Sequence, residues 1–227
     1  MKVQNSEFKT WEKYHLNRTV YPSWPNETLV RLLKGNFLKK KINIKKKSKI
    51  LDIGCGFGNN LLLFKDFENV SLFGTEVTKN TCEVPKKNLS NNNLVADIRA
   101  GTNKKIPFPS NFFDLILSIN VIQYEKSEKS VEQAFKEYRR VLKKNGSFII
   151  ITVGPKHFSY DSVEMIGLHL YKLKNWHSIK NQIFFHFDNS KHLEFYLKKN
   201  FKNLEFGQSY ENLMGMELDY MIVKGTK

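Results

Sequence analysis

Residues 48–58, S-K-I-L-D-I-G-C-G-F-G, constrain this chain more than any other stretch, because an apolar run of strand length empties directly into a loop with glycine at every second position. Ile50, Leu51 and Ile53 form the short continuous apolar run expected of a parallel strand covered on both faces. Gly54, Gly56 and Gly58 permit positive φ and let a ligand approach bare backbone. Asn59 to Phe67, N-N-L-L-L-F-K-D-F, then reads as a helix whose first amides point back at the loop. Strand, cradle and helix follow one another, a βα unit of the kind from which nucleotide-binding sheets are built.

Spacing separates the ways such a loop can be used. The dinucleotide fingerprint is G-x-G-x-x-G, whereas here the pattern is G-x-G-x-G, with Asp52 two residues ahead of the first glycine and Asn59 where a last glycine would stand. A generic βα turn of another α/β protein is the plain alternative. The form D-x-G-C-G-x-G resembles motif I of the class I S-adenosylmethionine-dependent methyltransferases. That resemblance implies that Gly54, Cys55, Gly56, Gly58 and Asn59 surround the methionine part of the cofactor. It also implies that Asp52 helps hold the cofactor's amino group.

Further landmarks extend the resemblance. Asn69 to Thr75 reads as a second strand that delivers Glu76, followed by Val77, at its carboxyl end. A carboxylate there can accept both hydroxyls of a ribose. Leu94 to Ile98 reads as a third strand carrying Asp97 and Ile98, which the resemblance assigns to the adenine. Pro107 and Pro109 bar regular structure, and Asp114 to Ile119 is a fourth buried strand leading to Asn120 and Val121 at the sheet edge where ligands of open α/β sheets sit. Similar enzymes often carry a histidine where this chain has Gln123, so no base is expected at that point. Val131, Ala134, Phe135, Tyr138, Val141 and Leu142 lie on one face of a helix from Ser130 to Gly146, with Ser130 and Gln133 as a capping box. Ser147 to Val153 is a fifth strand. Ser190 can cap a helix through Phe201, and strands around Leu204 to Tyr210 and Met216 to Val223 flank a turn at Asn212 to Gly215.

These elements predict an α/β fold of three layers. It has a seven-stranded, mostly parallel sheet with one antiparallel strand in a C-terminal hairpin, helices on both faces and an N-terminal helical lid. The expected organisation is a single domain over 1–227: a lid or cap at 1–44, a cofactor-binding core at 45–154, a substrate-side insertion at 155–187 and a C-terminal helix and hairpin at 188–227. A chain of this length with 41% hydrophobic residues can bury such a core.

A formal charge of +15 invites a nucleic-acid partner. The excess comes from 32 lysines and only five arginines, beside 23 asparagines, a pairing that AT-rich codons produce. Arginine, the better reader of phosphates and bases, is scarce. The tracts Lys39 to Lys41 and Lys45 to Lys47 precede the first strand and read as solvated. Neither a spanning segment nor a signal-peptide core is visible, so no membrane insertion and a cytoplasmic location are expected. Cys55 and Cys82 have no metal-ligand spacing. The Asn-or-Asp, double-proline, aromatic motif of enzymes that methylate base amino groups is absent after strand four, and neither cysteine has the setting of a cytosine-C5 nucleophile.

Transfer of a methyl group to oxygen or nitrogen is what the resemblance leaves, with S-adenosylhomocysteine as the product. The acceptor is expected to be a small molecule, a polar metabolite or a surface-sugar precursor. An RNA methyltransferase using the basic surface, or a non-catalytic cofactor-binding member of a complex, are the alternatives. Two segments outside the common core should choose the acceptor. The first, Trp11 to Pro25, holds Trp11, Tyr14, His15, Tyr21 and Trp24 and leads into a helix over 26–40. It is expected to fold over the cofactor, with Arg18 near the cofactor carboxylate and Tyr14 or Tyr21 beside the acceptor; packing of the helix onto the sheet is the competing explanation. The second, Pro155 to Phe187, contains His157, Tyr160, His169, His177 and His186, of which His157 and Tyr160 are the candidate bases. Its spacing gives no i, i+4 histidine pair, and no metal site is expected.

Overall fold

A computed structural model describes residues 2–17, 24–176 and 179–227. Helices α1 (Lys2–Leu16) and α2 (Glu27–Lys34) precede β1 (Lys49–Ile53). The core continues through β2 (Ser71–Glu76), α3 (Lys79–Asn91), β3 (Ala96–Ala100), β4 (Phe113–Ile119), α4 (Glu128–Val141) and β5 (Leu142–Val153). Strands β6 (Val163–Gly167), β7 (Leu170–Trp176) and β8 (Ile179–Phe185) come next, then α5 (Ser190–Leu197), β9 (Lys202–Leu213) and β10 (Met216–Thr226).

The main sheet has the order β3-β2-β1-β4-β5-β10-β9. Strand β1 lies at its centre, parallel to β2 through Ile50–Leu72 and to β4 through Ile50–Leu115. Alternate side chains along each strand feed two separate cores. Leu51, Ile53, Ile116, Phe148 and Ile150 meet α4 and α5 on one face, joined by Phe113 across the register irregularity before Leu115. Ile50, Leu115, Leu117, Ile149 and Ile151 meet α2 and α3 on the other. Burial on both faces is why these strands read as unbroken apolar runs. Strand β10 runs antiparallel to β5, and its hairpin with β9 turns through Met214 and Gly215, both at positive φ.

Several boundaries differ from expectation. Helix α2 stops at Lys34, where the amide of Gly35 closes on the Arg31 carbonyl at 2.9 Å. Asn59 to Phe64 forms a 3₁₀ segment rather than an α-helix, entered from a left-handed Gly58 and bonded i to i−3 from Leu61 back to Gly58. Helix α4 begins earlier, at a capping box of Ser127 and Ser130 in place of Ser130 and Gln133. It also ends earlier, because the amides of Asn111 and Phe112 take the carbonyls of Arg140 and Val141 and Leu142 pairs with Phe113. Gly146 therefore lies within β5. Asn189, not Ser190, caps α5.

The segment after β5 folds as a second, three-stranded antiparallel sheet, β6-β7-β8. The lysine tracts at 39–41 and 45–47 are exposed and precede the amino end of β1, opposite to its glycine loop. Among the described residues no helix is long and apolar enough to cross a membrane.

Candidate active site

The glycine loop is stapled to the carboxyl end of β2. The Gly54 amide donates to Thr75 Oγ1 at 3.2 Å, the Cys55 amide to the Thr75 carbonyl at 3.0 Å, and the Gly56 amide to Glu76 Oε1 at 2.6 Å. Gly54, Gly56 and Gly58 all take positive φ, and a Cβ on Gly54 would lie 2.9 Å from Cγ2 of Val121. Bare backbone is needed here both for the turn and for the close approach of the segment after β4.

Above this loop lies a cavity of about 440 Å³, in the size range of small-molecule sites. Gly54 and Gly56 from the loop, Glu76 and Val77 after β2, and Asn120 and Val121 after β4 line its floor and walls. Gly101 to Lys104, after β3, form a further wall. The roof comes from outside the sheet: Trp11 and His15 from α1, Tyr124 from the turn after β4, and Gln182 and Ile183 from β8. Trp11 meets Tyr124 edge to face at 5.0 Å, and the His15 ring lies 4.9 Å from that of Phe57. Helix α1 is held in place through Glu12, which accepts from Asn80 Nδ2 at 2.5 Å.

The other residues proposed for the cofactor stand around this lining. Asp52 is 1% exposed and its Oδ2 has no hydrogen-bond partner among the described residues. Cys55 packs its sulfur against Gly74, Gly58 enters the 3₁₀ segment, and Asn59 donates to the Trp24 carbonyl at 3.0 Å. Burial pushes the Asp52 carboxyl up to about 8, opposed by a hydrogen bond from Asn60 and reinforced by the charge of Glu76. Burial also pushes Glu76 up to about 7, against the lowering effect of the Gly56 and Val77 amides. Two buried carboxyls, one of them, Glu76, in the cavity wall, thus add negative charge to each other's surroundings, which favours a cation there.

Asp97 is displaced from its expected place. Glu76 pairs with Ala100, so the edge of the sheet is reached at Ala100, and Asp97 sits opposite Phe73 in mid-strand. Its carboxylate is taken by Arg99 at 2.6 Å, and Ile98 points into the core. Thr102 and Asn103 stand where Asp97 and Ile98 were expected, and the N-K-K run around them hid the strand end. Among the catalytic candidates, His157 is 1% exposed, with Nε2 3.2 Å from the Tyr220 hydroxyl and Nδ1 3.0 Å from Ser159 Oγ. Tyr160 packs against Tyr171 and His186. Tyr14 lies behind His15 and Trp11. None of the three lines the cavity. Arg18, Tyr21 and His177 lie outside the described residues. The sequence pointed to the aromatic N-terminal segment as a whole but not to His15, nor to Gln182 and Ile183, whose place depends on how the second sheet docks.

The sequence profile of the family described as "Methyltransferase domain" matches residues 51–150. The sheet order, the glycine loop and this match are those of class I S-adenosylmethionine-dependent methyltransferase domains, for which the cofactor is S-adenosylmethionine. An uncharacterized protein of Methanocaldococcus jannaschii is 36% identical over 52% of this chain and 46% of its own length. A sterol 4-C-methyltransferase of Caenorhabditis elegans is 29% identical over 58% of this chain and 39% of its own. The matched region thus spans less than half the length of these two relatives. Among solved structures, a methyltransferase of Methanosarcina mazei has the same fold with a TM-score of 0.67, at 16% identity, covering 81% of this chain and 94% of that one.

Proposed function

We propose that this protein moves the methyl group of S-adenosylmethionine to an oxygen or nitrogen of a small molecule bound under the roof formed by α1 and β8. The single observation that carries the reading is the roofed cavity at the carboxyl ends of β1, β2 and β4, with buried Glu76 in its wall and buried Asp52 two residues before Gly54. S-adenosylmethionine carries a sulfonium and an ammonium, the cations that Asp52 and Glu76 call for. Two buried acceptors support the fit, since Asp52 Oδ2 and Asn120 Oδ1 have no hydrogen-bond partner among the described residues. The ammonium supplies donors for such atoms. Glu76 would take the ribose hydroxyls with its remaining lone pairs, and Thr102 and Asn103 would meet the base.

The methyl group arrives already activated by the positive sulfur, so the protein's part is to align the acceptor and keep water out. Trp11, Tyr124 and Ile183 supply apolar walls for that purpose, with α1 as the lid. His15, the one histidine among the lining residues, lies above Gly56 and is placed to take the proton of a hydroxyl acceptor. A covered pocket of this size suits a metabolite better than a polynucleotide, and the lysine tracts lie away from it. The test is incubation with methyl-labelled cofactor and fractionated extract. Label in a small-molecule fraction, reduced at least tenfold by His15→Asn, is the expected result. Label in RNA, or no S-adenosylhomocysteine with any fraction, would overturn it.

A further inference from the structure

Away from the cofactor cavity, three segments converge on one carboxylate. His169 occupies the turn between β6 and β7, in a left-handed conformation with φ of 56°. Its carbonyl accepts the amide of His186 at 2.7 Å, which locks that turn to the strand exit after β8. Asp188 lies two residues further on, and His192 stands in the first turn of α5, where its amide is taken by the capping Asn189 at 3.0 Å. Nδ1 of His169 is 3.4 Å from Asp188 Oδ1, and Nδ1 of His192 is 3.2 Å from Asp188 Oδ2. Nε2 of His186 is 3.7 Å from Oδ1 of the same carboxylate.

These spacings match a coordination shell. Two nitrogen or oxygen ligands, each about 2.1 Å from a tetrahedral zinc ion, stand about 3.4 Å apart. One ligand atom from each of His169, Asp188 and His192 lies within 4.8 Å of the others. His192 Nδ1 also faces the Asp188 amide at 3.3 Å, a long contact that an ion on that nitrogen would replace. His186 turns Nε2 toward the Asp188 carboxylate, while its Nδ1 is buried with no hydrogen-bond partner among the described residues. Where a ring nitrogen turns its lone pair toward the carboxylate the two repel, and a cation between them removes the conflict.

We infer that His169, Asp188 and His192 bind a divalent transition-metal ion, zinc foremost, with His186 or water in the fourth position. The ion would staple the β6-β7-β8 sheet to α5, and so to the main core. Strand β8 carries Gln182 and Ile183 into the roof of the cavity three residues before His186, so the staple would also fix that roof. A search for histidine pairs at i, i+4 misses this group. The partner of His192 at that spacing is Asp188, and His169 is brought in by the hairpin turn.

The full chain, stripped with a chelator and dialysed, is titrated with zinc chloride and, separately, with cobalt chloride. One zinc per chain, a rise in Tm of roughly 5 °C or more at saturating metal, and the visible absorption of four-coordinate cobalt are expected. His169→Ala and Asp188→Asn should each weaken zinc binding at least tenfold. Asp188→Asn retains the shape of the site, so its reading survives if His169→Ala fails to fold. No stoichiometric zinc at 10 µM free ion, or equal zinc binding by wild type and Asp188→Asn, would overturn the assignment.

Discussion

Glu76 accepts the amide of Gly56 at 2.6 Å, and this one bond ties the acidic end of β2 to the middle of the glycine loop. The same carboxyl lines the cavity, so it organises the cradle as well as facing whatever the cradle holds. Glu76→Gln keeps the shape but loses the charged acceptor. Hydrogen bonds to charged groups contribute roughly 1.5–3 kcal/mol, so affinity for S-adenosylhomocysteine should fall about ten- to a hundredfold. Burying the uncharged amide is less costly, and Tm should not drop. Isothermal titration and a thermal melt distinguish these effects, and a variant that binds like wild type would remove Glu76 from the site.

Asp52 and Glu76 also set how the protein responds to pH. In the folded state Asp52 stays protonated up to about 8, whereas it ionises near 3.8 when unfolded. Glu76 behaves alike between 4.5 and about 7. Across that window the folded state binds more protons than the unfolded one, so the ligand-free protein should lose stability as pH rises from about 4 to 8. Cofactor binding should show the opposite trend. A cationic ligand favours the ionised carboxyls, so affinity should increase between pH 6 and 8 with release of protons, and Asp52→Asn should flatten both slopes. Calorimetry in buffers of different ionisation enthalpy reads the proton release directly.

The sheet was legible because its strands are buried on both faces. Ile50 to Ile53, Asp114 to Ile119 and Ser147 to Val153 each announce themselves as apolar runs, and their fixed order around the glycine loop gives the seven-stranded architecture. Strand and helix ends were less legible, since they depend on partners distant in sequence. Helix α4 ends at Val141 because residues 111–113 cap it, and no signal within R-V-L-K-K-N-G reveals those residues. Asp97 was misplaced for the same reason: only the register of β3 on β2, Ala100 beside Glu76, shows how far the strand runs. The roof of the cavity was legible as an aromatic segment, but choosing His15 over Tyr14 requires knowing the rotation of α1.

Tyr138 connects the core to the cavity wall. It is fully buried in α4, donates to Asn103 Oδ1 at 2.7 Å and lies 3.1 Å from Ser118 Oγ, while Asn103 Nδ2 donates to Glu125 Oε1 at 3.1 Å. Tyr138→Phe removes the hydroxyl and leaves Asn103 without its donor. A cost of about 1–3 kcal/mol in denaturant unfolding is expected, because the remaining carbonyl stays buried. Cofactor affinity should weaken several-fold as the 101–104 wall loosens. Unchanged affinity would mean that the wall holds without this bond, through the Gly101 amide on the Glu76 carbonyl at 2.8 Å and the Lys104–Glu125 pair at 3.2 Å.

The corrected register of β3 leads to the sharpest contrast between two substitutions. Asp97 is half-exposed, paired with Arg99 and absent from the cavity lining, so Asp97→Ala should leave cofactor affinity within about twofold. An ion pair as exposed as this one contributes about 0–1 kcal/mol, and stability should barely change. Asn103→Ala acts on the cavity wall itself and strips partners from both Tyr138 and Glu125, so affinity should fall about tenfold or more. Equilibrium dialysis with labelled S-adenosylhomocysteine on the two variants decides the matter. A strong loss for Asp97→Ala together with none for Asn103→Ala would return the adenine contact to Asp97 and show that β3 ends earlier on the sheet.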